Sequence, residues 1–408
     1  MFWQGIIPGQ DRVCGPACPV GVFVGDIVVI GAGLAGLRLA RLLGRGRRRL
    51  EGRQVLFIDA KATFDYLPVL PDVAGGRFDR RHATTDLARY LERLGVNFTR
   101  GEVDRVDTQA KEIHLSDGRI IGYAYLVIAC GSVTDLGGLA EGGKKVLTLD
   151  TAEGAAALFD AVKAQPQKNF VVVGGGYTGV ETASNLAVYL RRRRVKKAAV
   201  IIVEQADEIL SALPEWMQDY CRVNLSRLKV VMYPGSSVVE AGAGRVKLSN
   251  GITVNDAVLI WAAGVRTPAF VSTLPYKKDG PGRLVVDAGM RCAEDCFAVG
   301  DAASFGRKGR PLRMAVPFAI AQADVAAANV VRACLGRKRS RAFCPLDKGY
   351  LVPMANRQAC GKVAGLRVWG RPAWTLHYLM CLAYGVSWRM RLGMLRDLLT
   401  DNALLSRW

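Results

Sequence analysis

The chain has 408 residues, 50% of them hydrophobic, so it can bury a sizeable core over two or three domains and reads as globular rather than disordered. Its formal net charge of +20, with 56 Lys and Arg against 36 Asp and Glu, points to anionic partners such as nucleotides or acidic lipid headgroups. Ten cysteines without zinc-finger spacing and only three histidines argue against a metal site, and no run reaches the roughly 18–20 uncharged apolar residues of a membrane-spanning helix.

Residues 1–25 have neither signal-peptide nor transit-peptide character and are read as an extension, with Cys14 and Cys18 given no role. Asp26-Ile-Val-Val-Ile30 then predicts a buried parallel strand running into Gly31-Ala-Gly33-Leu-Ala-Gly36 and a helix from Leu37 to Leu43. In such a turn Gly31 makes the tight bend, Gly33 lets backbone approach a pyrophosphate, and Gly36 allows helix and strand to pack closely. A lone glycine pattern is weak, so the next strand has to support it. Gln54-Val-Leu-Phe-Ile58 does so by ending in Asp59, an acid placed to accept hydrogen bonds from ribose hydroxyls. Tyr125 to Ala129 is a further apolar strand, closing on Cys130-Gly131-Ser132, where Ala129 and Gly131 are small enough for close passage beside a cofactor.

The design then repeats. Phe170 to Val173 leads into Gly174-Gly-Gly176-Tyr-Thr-Gly179 and a helix through Leu190, and the strand Ala198 to Val203 ends in Glu204. A carboxylate there favours the free 2′-hydroxyl of NADH, and no Arg or Lys stands just beyond Gln205 to clamp the 2′-phosphate of NADPH. Glu181 has two readings: it stabilises the start of a helix, or it lies near the nicotinamide and orients the ring. Further on, Cys296 to Asp301 is a strand running into Gly300 and Asp301 ahead of the helical stretch Pro317 to Val331, an arrangement that suits a ribityl chain.

The predicted fold is α/β, with two Rossmann-like dinucleotide-binding domains, one for FAD and one for NADH, and a C-terminal membrane-associating helical segment. The expected division is an extension (1–25), a first FAD-binding segment (26–150), an NADH-binding domain (151–275), a second FAD-binding segment (276–345) and a C-terminal region (346–408). In that last region Trp374 to Trp388 is uncharged and aromatic, and Arg389, Arg391 and Arg396 follow it. It is too short to span a bilayer and is read as lying on an anionic membrane surface, with an ordinary core helix as the alternative. The basic runs Arg45 to Arg53, Arg191 to Lys197 and Arg337 to Arg341 are read as solvated faces, with docking on an anionic membrane as the alternative, and nucleic acid is not an expected partner.

These residues resemble the type II NADH:quinone oxidoreductases, the single-subunit, non-proton-pumping NADH dehydrogenases, over nearly the whole chain after Gly25. The more specific matches are Tyr66-Leu-Pro68-Val-Leu70-Pro-Asp-Val-Ala74, Gly174 to Glu181, and Ile260-Trp-Ala-Ala-Gly264-Val-Arg-Thr-Pro268. The resemblance implies that Pro68 and Leu70 contact FAD and that Gly300 and Asp301 hold its ribityl and phosphate region. It also implies that Gly174, Gly176, Gly179, Glu204 and Gly264 hold NADH, and that Glu181 and Gln322 serve catalysis, Gln322 beside the quinone. Two departures stand out: Gln322 is single where the family shows a Gln pair, and Cys130 replaces the usual Thr. A peripheral membrane protein of the respiratory chain follows, facing the cytoplasm or an organelle interior, as a homodimer or as a subunit of a membrane assembly. The alternatives are a non-catalytic, structural flavoprotein subunit, or a related NAD(P)H flavin reductase with another acceptor. A dithiol reductase is disfavoured because residues 60–76 contain no cysteine, and a sulfide:quinone oxidoreductase because the second fingerprint is intact.

Overall fold

The β-branched run Ile27-Val-Val-Ile30 forms the inner half of strand β1 (Phe23–Ile30), buried between parallel neighbours on both sides. The computed structural model describes residues 23–137, 146–242, 244–307 and 310–405, so Cys14, Cys18 and residues 1–22 lie outside the described residues. After β1 come helix α1 (Leu34–Arg45), strand β2 (Val55–Asp59), a short helix α2 (Leu70–Ala74) and strands β3 (Asn97–Arg100), β4 (Val103–Asp107), β5 (Glu112–Leu115) and β6 (Ile120–Ile128). They build a sheet in the order β3-β2-β1-β6-β5-β4. The β4, β5 and β6 pairings are antiparallel, and those among β1, β2, β3 and β6 are parallel.

The second sheet has five strands and is parallel throughout. It contains β7 (Leu147–Thr148), β8 (Asn169–Val173), β9 (Val200–Val203), β10 (Val231–Tyr233) and β11 (Ala257–Trp261), in the order β7-β11-β8-β9-β10. Helix α3 (Ala152–Ala164) precedes β8, and α4 (Tyr177–Arg192) follows it. Leu147 already pairs with Ile260 in this sheet.

The chain then returns to the first sheet. Strand β12 (Cys296–Ala298) pairs with the C-terminal half of β6, Cys296 opposite Leu126, as its seventh strand. Helix α5 (Val316–Cys334) lies against α1, tied to it by Arg38 Nε to Asp324 Oδ1 at 2.6 Å. A three-stranded antiparallel sheet, β13 (Gly349–Met354), β14 (Gln358–Val363) and β15 (Leu366–Trp369), leads into α6 (Gly370–Tyr384) and α7 (Trp388–Leu405).

These last helices modify the expected anchor. The uncharged segment from Trp374 does not lie open: α6 turns Trp374, Tyr378 and Cys381 into the core. The exposed apolar surface belongs mainly to α7, where Trp388, Leu392, Leu395 and Leu399 stand on one helical face. No described helix is long and apolar enough to cross a membrane.

Candidate active site

The two glycine loops have the same construction. Gly31 has φ +102° and Gly174 φ +106°, a left-handed geometry that glycine adopts without strain. A Cβ on Gly36 would collide with the carbonyl oxygen of Gly31, and one on Gly179 with that of Gly174, so both helices start in direct contact with their own turns. By contrast, a Cβ on Gly33 or Gly176 would meet nothing, because each faces open space at the helix N-terminus where a pyrophosphate would lie. Ala129 flanks the first turn, its N–H bonded to the Ile30 carbonyl at 2.7 Å and its own carbonyl against Gly31.

The confirming acids are equivalent too. Asp59 Oδ2 accepts the Ala32 N–H at 2.7 Å, and Glu204 Oε2 accepts the Gly175 N–H at 2.5 Å. Each carboxylate therefore braces the loop it stands beside and keeps lone pairs for ribose hydroxyls. A cavity of about 760 Å³ opens over the second loop, lined by Gly174, Gly176, Glu204, Gln205, Ser236 and Gly264 among others. Its size, glycine floor and acid edge fit the dinucleotide expected there.

The loops after β6 and β11 bring the cradles together. Val265 and Arg266 pair antiparallel with Thr134 and Val133, the Asp135 N–H bonds the Gly264 carbonyl at 3.2 Å, and Trp261 Nε1 donates to the Asp135 carbonyl at 2.8 Å. Gly131 on the first side and Gly264 on the second, both at positive φ, thus sit at the two ends of one seam. On the first side the Gly300 N–H donates to Gln322 Oε1 at 2.8 Å, and Ser132 Oγ donates to Asp301 Oδ2 at 3.3 Å. Burial raises the Asp301 carboxyl pKa above the usual carboxylate range, and it pushes the neighbouring Cys130 thiol up to about 12, so Cys130 stays a thiol.

Gln322 is 4% exposed and its oxygen accepts the Gly300 N–H, which ties it to the turn that carries Asp301. Pro68 is half-buried, next to the exposed Leu67, while Leu70 is fully buried and packs the base of α2.

Glu181 stands in the second turn of α4 with no hydrogen bond to its carboxylate among the described residues. Burial, and then repulsion from Asp72, raises its pKa well above the ordinary carboxylate range, which favours the neutral acid. Asp72 belongs to a buried ionic lattice: Arg77 Nη1 bonds Asp72 at 2.7 Å, Arg77 Nε bonds Asp401 at 2.9 Å, and Arg192 bonds Asp401 at 2.7 Å. The Tyr378 hydroxyl donates to Asp72 at 2.9 Å, and Tyr66 donates to the Cys381 carbonyl at 3.0 Å. His377, half-buried beside Arg77, is lowered to about 4 and is neutral at pH 7. Sequence reasoning missed this lattice. Its one local signal was Asp397 and Asp401, two acids one helical turn apart within a leucine-rich helix.

The chain is similar to known proteins. A type II NADH:quinone oxidoreductase of Haemophilus influenzae is 26% identical over 389 residues, covering 83% of this chain and 87% of that one. An NADH dehydrogenase-like protein of Mycobacterium tuberculosis is 32% identical over 301 residues, covering 68% and 72%. Among solved structures, NDH2 from Plasmodium falciparum in complex with NADH superposes with a TM-score of 0.81 at 16% identity, covering 92% of this chain and 98% of that one, a likeness of fold. Residues 25–328 match the family described as pyridine nucleotide-disulphide oxidoreductase, and the chain belongs to that FAD-dependent family.

Proposed function

We propose that the protein is an FAD-dependent NADH:quinone oxidoreductase working at a membrane surface, without proton pumping. The observation that carries this reading is the seam between Val133–Thr134 and Val265–Arg266, which holds the ends of two dinucleotide cradles against each other. The acceptor is supported by the names of relatives, among them the Haemophilus enzyme and a demethylphylloquinone reductase of Synechocystis, 26% identical over 331 residues.

Bound flavin would accept a hydride from NADH and pass two electrons to the quinone. The protein's own part is placement. Gly31, Gly33, Gly36 and Asp59 hold the FAD pyrophosphate and ribose, and Ala129, Gly131, Gly300 and Asp301 line its path, with Gln322 fixing Gly300. Gly174, Gly176, Gly179, Glu204 and Gly264 hold NADH, and the Glu204 carboxylate selects the free ribose hydroxyl. Glu181, favoured as the neutral acid, would orient the nicotinamide ring, and Pro68 would contact the flavin. The exposed stripe of α7 meets the bilayer in which a quinone dissolves.

The test is anaerobic mixing of the FAD-loaded protein with NADH while following the flavin absorbance band. Bleaching by NADH much faster than by NADPH, reversed on adding a short-chain quinone, is expected. Bleaching that no quinone reverses would replace the proposed acceptor, and the absence of any bleaching would leave a structural flavoprotein.

A further inference from the structure

Helix α7 makes a second, unassigned site where it crosses the turn Arg80–His82. Gly393 is buried and lies so close to His82 that a Cβ there would overlap the imidazole ring. His82 Nδ1 bonds Asp397 Oδ2 at 2.7 Å, and the same carboxylate oxygen accepts the Asp79 N–H at 3.0 Å, so the crossing is pinned. Beside it opens a cavity of about 600 Å³ lined by Arg81, His82, Arg389, Leu392, Gly393 and Arg396.

The charges there are unevenly answered. Arg81 is paired with Asp79 at 2.6 Å and His82 with Asp397. Arg391 is turned away, donating to the Gly385 and Ala383 carbonyls and lying over the Trp388 ring. Arg389 and Arg396 have no acidic partner among the described residues, and both are exposed on the wall of the cavity. Two open guanidiniums in one concavity make a forked receptor for a phosphate group. The same helix turns Trp388, which is 75% exposed, and Leu392, Leu395 and Leu399 to solvent next to that wall.

We infer that this cavity binds the phosphate of an anionic phospholipid headgroup while the apolar stripe of α7 enters the acyl region. The occupant is a lipid rather than free phosphate because the cation pair and the exposed stripe share one helix at neighbouring positions. A soluble anion would use the first and leave the second uncovered. This inference rests on the reading that α7 faces a membrane.

The experiment is sedimentation of the FAD-loaded full chain with vesicles of phosphatidylcholine alone, or with phosphatidate added, at fixed salt. Stronger binding to phosphatidate vesicles is expected. R389Q/R396Q should weaken that binding about thirtyfold, a factor of about five per charge, and K196Q/K197Q, on an exposed loop elsewhere, less than twofold. G393A changes the shape of the cavity at constant charge and should also lose the phosphatidate preference, which diffuse attraction would not do. Flavin bleaching by NADH in solution should be unchanged in R389Q/R396Q. Equal binding to both vesicle types, or equal losses in the two double variants, would overturn the headgroup site alone. Loss of vesicle binding to millimolar inorganic phosphate at constant ionic strength would give the cavity to a soluble anion. Failure to sediment with any vesicle would remove the membrane reading together with the site.

Discussion

Arg77 Nε and Asp401 Oδ2 lie 2.9 Å apart although 324 residues separate them in the chain. The bond joins the flavin-side segment that follows α2 to the last helix. Arg192, at the end of α4, bonds the same aspartate, so one carboxylate gathers the first cradle, the second cradle and the C-terminal helices.

Removing Arg77 leaves Asp72 buried without its counter-charge and Asp401 with Arg192 alone. R77A is expected to lose about 3–5 kcal/mol of stability. Thermal unfolding followed by circular dichroism checks this, and early proteolysis within α7 should accompany it, because the helix loses one of its ties to the core.

The glycines at the two helix starts separate the two nucleotides. G179A forces a Cβ into the Gly174 carbonyl and should abolish bleaching by NADH while the protein still purifies yellow. G36A does the same to the Gly31 turn and should yield protein depleted of FAD. The ratio of flavin to protein absorbance after purification distinguishes the two.

In the proposed reading Glu204 sets the choice of coenzyme. In E204Q the amide oxygen can still accept the Gly175 N–H, while the bond from the Ala206 N–H to the other oxygen is lost and the charge on the ribose hydroxyls is gone. Losing charge-assisted bonds worth about 1.5–3 kcal/mol should raise the KM for NADH roughly tenfold to a hundredfold, with a smaller change for NADPH.

Two desolvated groups set opposite edges to stability against pH. Glu181 has a raised pKa when folded, so between its ordinary value and the raised one the native state holds a proton the unfolded chain has released, and stability falls as pH rises through that window. His377 is lowered from 6.5 to about 4, so its contribution is complete above 6.5 and is lost as pH falls toward 4. Urea midpoints across pH should show E181Q flattening the decline as pH rises above about 4.5, and H377Q flattening the loss as pH falls from 6.5 toward 4.

Both cradles were legible in the sequence because their constraints are local: a glycine that must avoid a carbonyl, and an acid one strand away from it. The C-terminal region was only half legible. An uncharged aromatic run such as Trp374 to Trp388 looks the same whether it faces a core or a bilayer, and the partners that decide, Asp72, Arg77 and Tyr66, lie far away in sequence. Gln322 is ambiguous for a related reason. A glutamine that holds a backbone N–H and one that meets a substrate carry the same letter.

Strand β12 has a consequence for how the protein is made. Synthesis runs from the N-terminus, and the β6 edge that β12 covers is finished about 170 residues before β12 itself, a gap read from the strand positions Ile120–Ile128 and Cys296–Ala298. At the usual pace of translation that edge waits roughly ten to thirty seconds with its hydrogen bonds open. A nascent chain of this kind offers a long window for holding factors, and slowing the ribosome ahead of residue 296 should lower soluble yield even though no amino acid has changed.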